Sequence, residues 1–262
     1  MEQVNEALQV LWRWLHIIFG VLWIGHLYFF NFVNGPFTAT MDAETKKKVV
    51  PELMPRALFW FRWGAIWTWS TGILLLEFIY YRGKAIANDP TQITSATWVM
   101  VAVTFLAFFI YDFVAKKIDK DAKKFGVTAF IILTAIIYLY VSYGAFSYRG
   151  VLIHTGVLFG TIMAINVWYR IWPAQQKIIT AIKNGEAPDA ATVALAGQRS
   201  RHNTYMSVPL LFSMIASHTT YFSGGNLGLT SENMWIGWLA IILIGWHVVF
   251  QFYKRSAKVK GF

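Results

Sequence analysis

The chain has 262 residues, of which 56% are hydrophobic, 18% aromatic and only 14% charged. A soluble domain carries about 25% charged residues, so this composition excludes a soluble globular protein and points to an integral membrane one. Its 23 Lys and Arg against 13 Asp and Glu give a net charge of +10, but the excess falls in alternate loops. That pattern reads as positive-inside asymmetry, not as a nucleic-acid surface. The absence of cysteine excludes disulfides, Cys-ligated iron–sulfur clusters, thiolate nucleophiles and the C-x-x-C-H attachment of c-type haem.

The N-terminus, MEQVNEALQ, has neither a basic n-region nor a small-residue cleavage site. The first apolar stretch is therefore expected to stay as a membrane helix. Crossing the hydrocarbon core takes about 20 apolar residues, and segments 8–33, 58–81, 96–114, 127–146, 151–172, 204–222 and 235–253 qualify or nearly so. Their continuous apolar character predicts helices, since barrel strands would alternate and be shorter. The expected fold is an all-α polytopic membrane bundle of about seven helices, one domain over 1–262. Within 173–203, AQQKIITAIKNG and PDAATVALAGQRSR read as two short amphipathic helices at the cytoplasmic surface, the second N-capped by Asp189. MDAETKKKVV in the first basic loop reads as a similar short helix.

Basic residues orient the spans. Lys46, Lys47, Lys48 and Arg56 follow the first span, and Lys116, Lys117, Lys120, Lys123 and Lys124 follow the third. Lys177, Lys183, Arg199 and Arg201 follow the fifth, and Lys254, Arg255, Lys258 and Lys260 lie in the tail. The alternate loops hold only Arg82, Lys84 and Arg149. Seven spans then place the N-terminus outside and the C-terminus inside, in a bacterial inner membrane.

All six histidines lie in or beside apolar segments, where an ionisable or ligand-forming side chain is costly without a partner. Helical rise assigns each a depth: His16, His154 and His218 form an outer group, and His26, His202 and His247 an inner one. Each group can supply two axial ligands to a haem b, so one or two haems are expected. Pro209 is expected to interrupt the sixth helix between His202 and His218. Arg13, Arg62, Arg149 and Arg201 are candidate partners for haem propionates, because the guanidinium offers carboxylates a bidentate fork. Arg13 with Glu77 and Asp112 with Arg170 are candidate ion pairs. Arg199, Arg201, Asn203 and Tyr205 cluster at the inner mouth, where they read either as positive-inside charge or as a site for an anionic substrate. The 13 Trp and 12 Tyr read mostly as interfacial belts and core filling.

The run Arg201-His202-Asn203-Thr204-Tyr205-Met206-Ser207-Val208-Pro209, continuing to Ser217-His218, resembles the signature of the membrane N-terminal domain of bacterial cytochrome-c-linked urate oxidases. The opening Trp14-Leu15-His16 through Trp23-Ile24-Gly25-His26 is similar, and the likeness extends over nearly the whole chain. The resemblance implies a multi-helix membrane oxidoreductase that passes electrons toward periplasmic cytochrome c and a terminal oxidase. Such proteins continue into a further helix and a cytochrome c domain with C-x-x-C-H. This sequence stops at Phe262, so the expected acceptor is a separate cytochrome c or another respiratory-chain component, and urate as substrate is an open point. Two further readings stand beside the haem oxidoreductase: a non-catalytic subunit of a respiratory complex, and a proton or metal-ion transporter using intramembrane histidines. No catalytic base is identified, and either a homo-oligomer or a place in a larger assembly is compatible with the sequence.

Overall fold

A computed structural model describes residues 2–118, 121–216, 218–219, 221, 226–230 and 232–259. Ser217, Thr220 and Phe222 of the sixth expected span, and Lys120 and Lys260 of the basic segments, lie outside the described residues. Among the described residues the protein is all α, with no strand. The helices are α1 (Glu2–Tyr28), α2 (Gly35–Ala39), α3 (Ala43–Leu75), α4 (Ser95–Ile118), α5 (Ala122–Ser142), α6 (Tyr148–Ile165), α7 (Trp172–Asn184), α8 (Ala190–Ala216) and α9 (Met234–Ser256).

Five helical stretches are long and apolar enough to cross a membrane: Glu6–Ala39, Ser95–Ile118, Ala122–Ser142, Tyr148–Asn184 and Met234–Ser256. They fall on the first, third, fourth, fifth and seventh expected segments. The second and sixth are also helical, in α3 and α8, but are more polar. Thr68, Thr71, Thr204, Ser207 and Ser213 are all buried, and each donates its hydroxyl to a carbonyl three or four residues back. These hydroxyls are tolerated in apolar helices because they are buried and bonded within the helix.

Three long helices are not regular throughout. Phe29–Asn34, Leu76–Tyr81 and Asn166–Ile171 form π-helical turns, closed by bonds from Gly35 N–H to the Phe30 carbonyl, Arg82 to Glu77 and Trp172 to Val167. A π turn adds a residue to the helical repeat and rotates the register of the residues beyond it. The third joins α6 to α7, so Tyr148–Asn184 is one helical run of 37 residues, about 55 Å long. The segment 173–184 therefore extends a span instead of forming a separate surface helix. It stops at Gly185, whose φ of +79° is left-handed and open to glycine at little cost. The second piece, from Ala190, is likewise the start of α8. Asp189 caps it, accepting from the Thr192 amide at 2.8 Å and hydroxyl at 2.7 Å. Asp42 and Asp121 begin α3 and α5 in the same way. MDAETKKKVV thus supplies the first turns of α3.

The chain resolves into two compact units. Unit one comprises Met1–Gly72, Met163–Ser207 and His247–Phe262; unit two comprises Ile73–Ile162 and Val208–Trp246. In unit one α3 crosses α1 closely: a Cβ on Gly64 would stand 3.0 Å from the Trp23 nitrogen, so only glycine lets the backbones approach. In unit two Gly156 does the same for α6 against α8, where a Cβ would lie 2.2 Å from Ser213 Oγ. α8 runs through Pro209 without a break, the proline ring facing Gly245 of α9.

Candidate functional site

The histidines divide four to two: His16, His26, His202 and His247 in unit one, His154 and His218 in unit two. On α1, the His26 Nδ1–H donates to the Leu22 carbonyl at 2.7 Å. This fixes the tautomer and leaves the Nε2 lone pair bare. His16 reaches the same state through α3. Its Nδ1 lies 3.1 Å from Thr71 Oγ1, and that hydroxyl already donates to the Trp67 carbonyl at 2.7 Å. The threonine oxygen therefore accepts from Nδ1–H, and Nε2 again carries the lone pair. Gly72 makes room for the ring, since a Cβ there would stand 3.0 Å from His16 Cε1. Both rings are half-buried.

His247 is exposed on α9, and its Nε2 is engaged by the Gln251 side-chain amide at 3.0 Å. His202, half-buried on α8 two residues before the span expected from 204, is flanked by Arg199 and Arg201. Burial first, and then these two guanidiniums, hold its ring well below the ordinary imidazole value.

In unit two His154 is fully buried with both nitrogens in use. Nδ1–H donates to the Gly150 carbonyl at 2.8 Å, and Nε2 lies 3.2 Å from the Tyr81 hydroxyl, which must therefore donate to it. The ring is enclosed by Phe146 at 4.7 Å, Tyr81 at 5.8 Å, Tyr80 at 6.2 Å and Tyr140 at 6.3 Å between centroids. Gly150 is also where the 85–87 segment closes on α6: a Cβ would stand 2.3 Å from the Ile86 carbonyl oxygen. His218 lies past the end of α8, exposed, its amide donating to the Ile215 carbonyl. Helical rise does not carry to it, because the helix ends at Ala216.

The four arginines have different surroundings. Arg13 and Arg149 are exposed. Arg201 is exposed and lies over the Tyr253 ring, 5.4 Å from its centroid. Arg62 is stacked on Trp172 at 4.0 Å. Glu77 pairs with Arg82 at 2.8 Å and Asp112 with Lys116 at 2.9 Å.

Around His202 the helix presents a buried polar face that composition did not reveal. Arg199, Asn203 and Ser207, spaced by four, are each at most 1% exposed. Asn203 accepts from the Asn166 amide at 3.0 Å and donates to the Met163 carbonyl at 3.0 Å. Ser207 is 3.0 Å from the Tyr28 hydroxyl. Asn31 donates to Ser200 Oγ and accepts from the Tyr253 hydroxyl, both at 2.8 Å. Asn31, Tyr81 and Asn166 lie one in each π turn, so every π turn delivers a side chain to an interhelical polar contact, and the first also delivers Asn34 to Met54 Sδ. The signal available in sequence was two asparagines inside apolar spans; the altered register that aims them was not readable.

Among the described residues no three His, Asp or Glu side chains stand together around one point. A haem needs only two axial imidazoles. The donor chemistry fits at His16 and His26, with Nδ1 tied and Nε2 bare, which is how ligating histidines are held. At His154 the Tyr81 hydroxyl occupies the lone pair that iron would use.

A family model described as "Urate oxidase N-terminal" matches residues 40–261. The matched stretch takes in His154, His202, His218 and His247 and starts after His16 and His26. No curated protein and no solved structure matches the chain.

Proposed function

Because the chain belongs to the Urate oxidase N-terminal family, we propose that it is a urate-oxidase-like membrane oxidoreductase. In this reading it takes electrons from urate or a related purine and passes them to a cytochrome c or another respiratory-chain component. Haem b, one or two per chain, would supply one-electron transfer between donor and acceptor. The observation that carries the reading is the fixed tautomer of His26, with Nδ1–H on the Leu22 carbonyl and Nε2 free to coordinate in an apolar span. His16, held by Thr71, supports it about 15 Å away along α1. His202 is the other unit-one imidazole that could serve as a second ligand, whereas the His247 Nε2 would first have to leave Gln251. Arg201 and Arg62 have guanidiniums that could meet propionates.

The chain's own groups would do the rest. Thr71 and the Leu22 carbonyl would orient the rings, and the apolar spans would exclude water from their Nε2 nitrogens. The membrane arrangement that goes with this reading is seven spans in a bacterial inner membrane, N-terminus outside. Five spans rest on length and apolarity, and the other two on α3 and α8, whose Thr68, Thr71, Thr204, Ser207 and Ser213 are buried.

Gently purified protein is expected to be red, with a Soret band and an α-band that sharpens on dithionite, and to release protohaem into pyridine. His26→Ala should remove one redox wave without removing all haem. A colourless preparation, free of iron and fully helical, would overturn the proposal.

A further inference from the structure

Arg62 is a charge at membrane depth held only by aromatic faces. Its guanidinium carbon lies 4.0 Å from the Trp172 ring centroid, 5.5 Å from Trp168 and 5.9 Å from Phe59. Trp168 is fixed in turn: its indole N–H donates to the Arg62 carbonyl at 3.0 Å, and its ring meets Trp63 edge-on at 5.6 Å. Ring faces hold a cation in place and in plane, but they do not neutralise it. No carboxylate among the described residues pairs with Arg62, and its buried Nε–H has no acceptor. A guanidinium in such a setting normally has an anion, and among the described residues none is supplied.

The surroundings say where the anion comes from. The buried face of α3 runs through Ala57, Leu58, Phe61, Gly64, Ala65 and Thr68, and Arg62 leaves the helix at the edge of that face. Its neighbours Phe59, Trp60 and Trp63 are 44%, 53% and 38% exposed, an aromatic belt of the kind found at headgroup level. The apolar run of α3 starts only a few residues earlier, after Lys46, Lys47, Lys48 and Arg56. Arg62 therefore sits about one to two turns inside the boundary on the basic-loop side, within reach of lipid phosphates.

We propose that Arg62, held in plane by Trp172, Trp168 and Phe59, is a site for the phosphodiester of an anionic phospholipid. The lipid belongs to the leaflet facing the basic loops. A planar guanidinium fork suits a phosphate oxygen pair, and stacking on Trp172 removes the freedom the side chain would otherwise lose on binding. A lipid phosphate at Arg62 would leave Arg201 as the propionate partner of the redox reading, which does not otherwise depend on Arg62.

The test uses the full chain in discs of equal phosphatidylglycerol and phosphatidylcholine, with retained lipids counted by native mass spectrometry. The protein is expected to retain phosphatidylglycerol over phosphatidylcholine by about fivefold, the effect of one well-placed basic residue near an anionic surface. Arg62→Gln should bring the ratio near one, Arg62→Lys should keep part of it, and Lys84→Gln, at an exposed position outside α3, should leave it unchanged. If Arg62→Gln folds poorly, Trp172→Leu, which keeps the charge and removes the closest ring, should lower the ratio about twofold. A wild-type ratio in helical Arg62→Gln or in Trp172→Leu overturns the proposal. So does an unchanged ratio accompanied by a weakened Soret band in Arg62→Gln, which would assign the oxyanion to a haem propionate.

Discussion

Tyr81→Phe tests the arrangement around His154 directly. The substitution removes one hydroxyl and keeps the ring that packs 5.4 Å from Trp98 and 5.8 Å from His154. His154 stays fully buried, its Nδ1–H stays on the Gly150 carbonyl, and its Nε2 lone pair loses its only donor. An unsatisfied acceptor in a buried site costs about 1–3 kcal/mol. In membrane proteins measured couplings are smaller, about 0.6 kcal/mol on average and about 1.7 at most, because the unfolded chain also finds partners. We expect a loss of about 1 kcal/mol, roughly fivefold in the unfolding equilibrium. Reversible unfolding in a denaturing detergent, followed by tryptophan fluorescence, measures it. A cycle with His154→Phe isolates the pair, and the double variant should show the hydroxyl contributing nothing once the imidazole is gone. A neutral Tyr81→Phe combined with loss of a haem wave in His154→Phe would refute the reasoning, because Nε2 would then be coordinating iron instead of accepting from Tyr81.

Asn203→Leu should cost about 1–2 kcal/mol in the same unfolding assay, since it removes the bonds to Asn166 and the Met163 carbonyl from a site with no exposure; an unchanged midpoint would contradict the buried bridge. Asp189→Ala should reduce hydrogen-exchange protection at the Thr192 amide and the first turn of α8. In the wild-type protein the Thr192 hydroxyl and amide hold the Asp189 carboxyl below its ordinary value. The stabilisation from this cap is therefore complete above about pH 4, the unfolded value, and is lost as pH falls through the lower folded value. Protection of that amide that stayed constant down to pH 2 would show that the carboxylate does not cap the helix.

The amino-acid sequence by itself determined the class and most of the helices. Twenty-residue apolar runs have few alternatives in lipid, where every backbone polar group must be satisfied internally; helical runs therefore appear at all seven expected segments. It also placed the Asp189 cap, which is a local interaction over three residues. The sequence likewise singled out the histidines, because an imidazole among Leu, Ile and Phe is conspicuous, and the R-H-N-x-Y-M-x-x-P run carried the family resemblance.

Side-chain direction was a different matter. Depth counted at a constant rise puts His16, His154 and His218 in one group, but α8 ends at Ala216 before His218. Three π turns change the register inside spans that look uniform in composition, and they aim Asn31, Tyr81 and Asn166 at Ser200, His154 and Asn203. Whether an imidazole keeps a free lone pair depends on partners 55 or 73 positions away, Thr71 for His16 and Tyr81 for His154. Hydropathy acts along the chain and is readable from it. Hydrogen-bond partnership acts across helices, and only their packing sets which of six similar histidines is left able to bind.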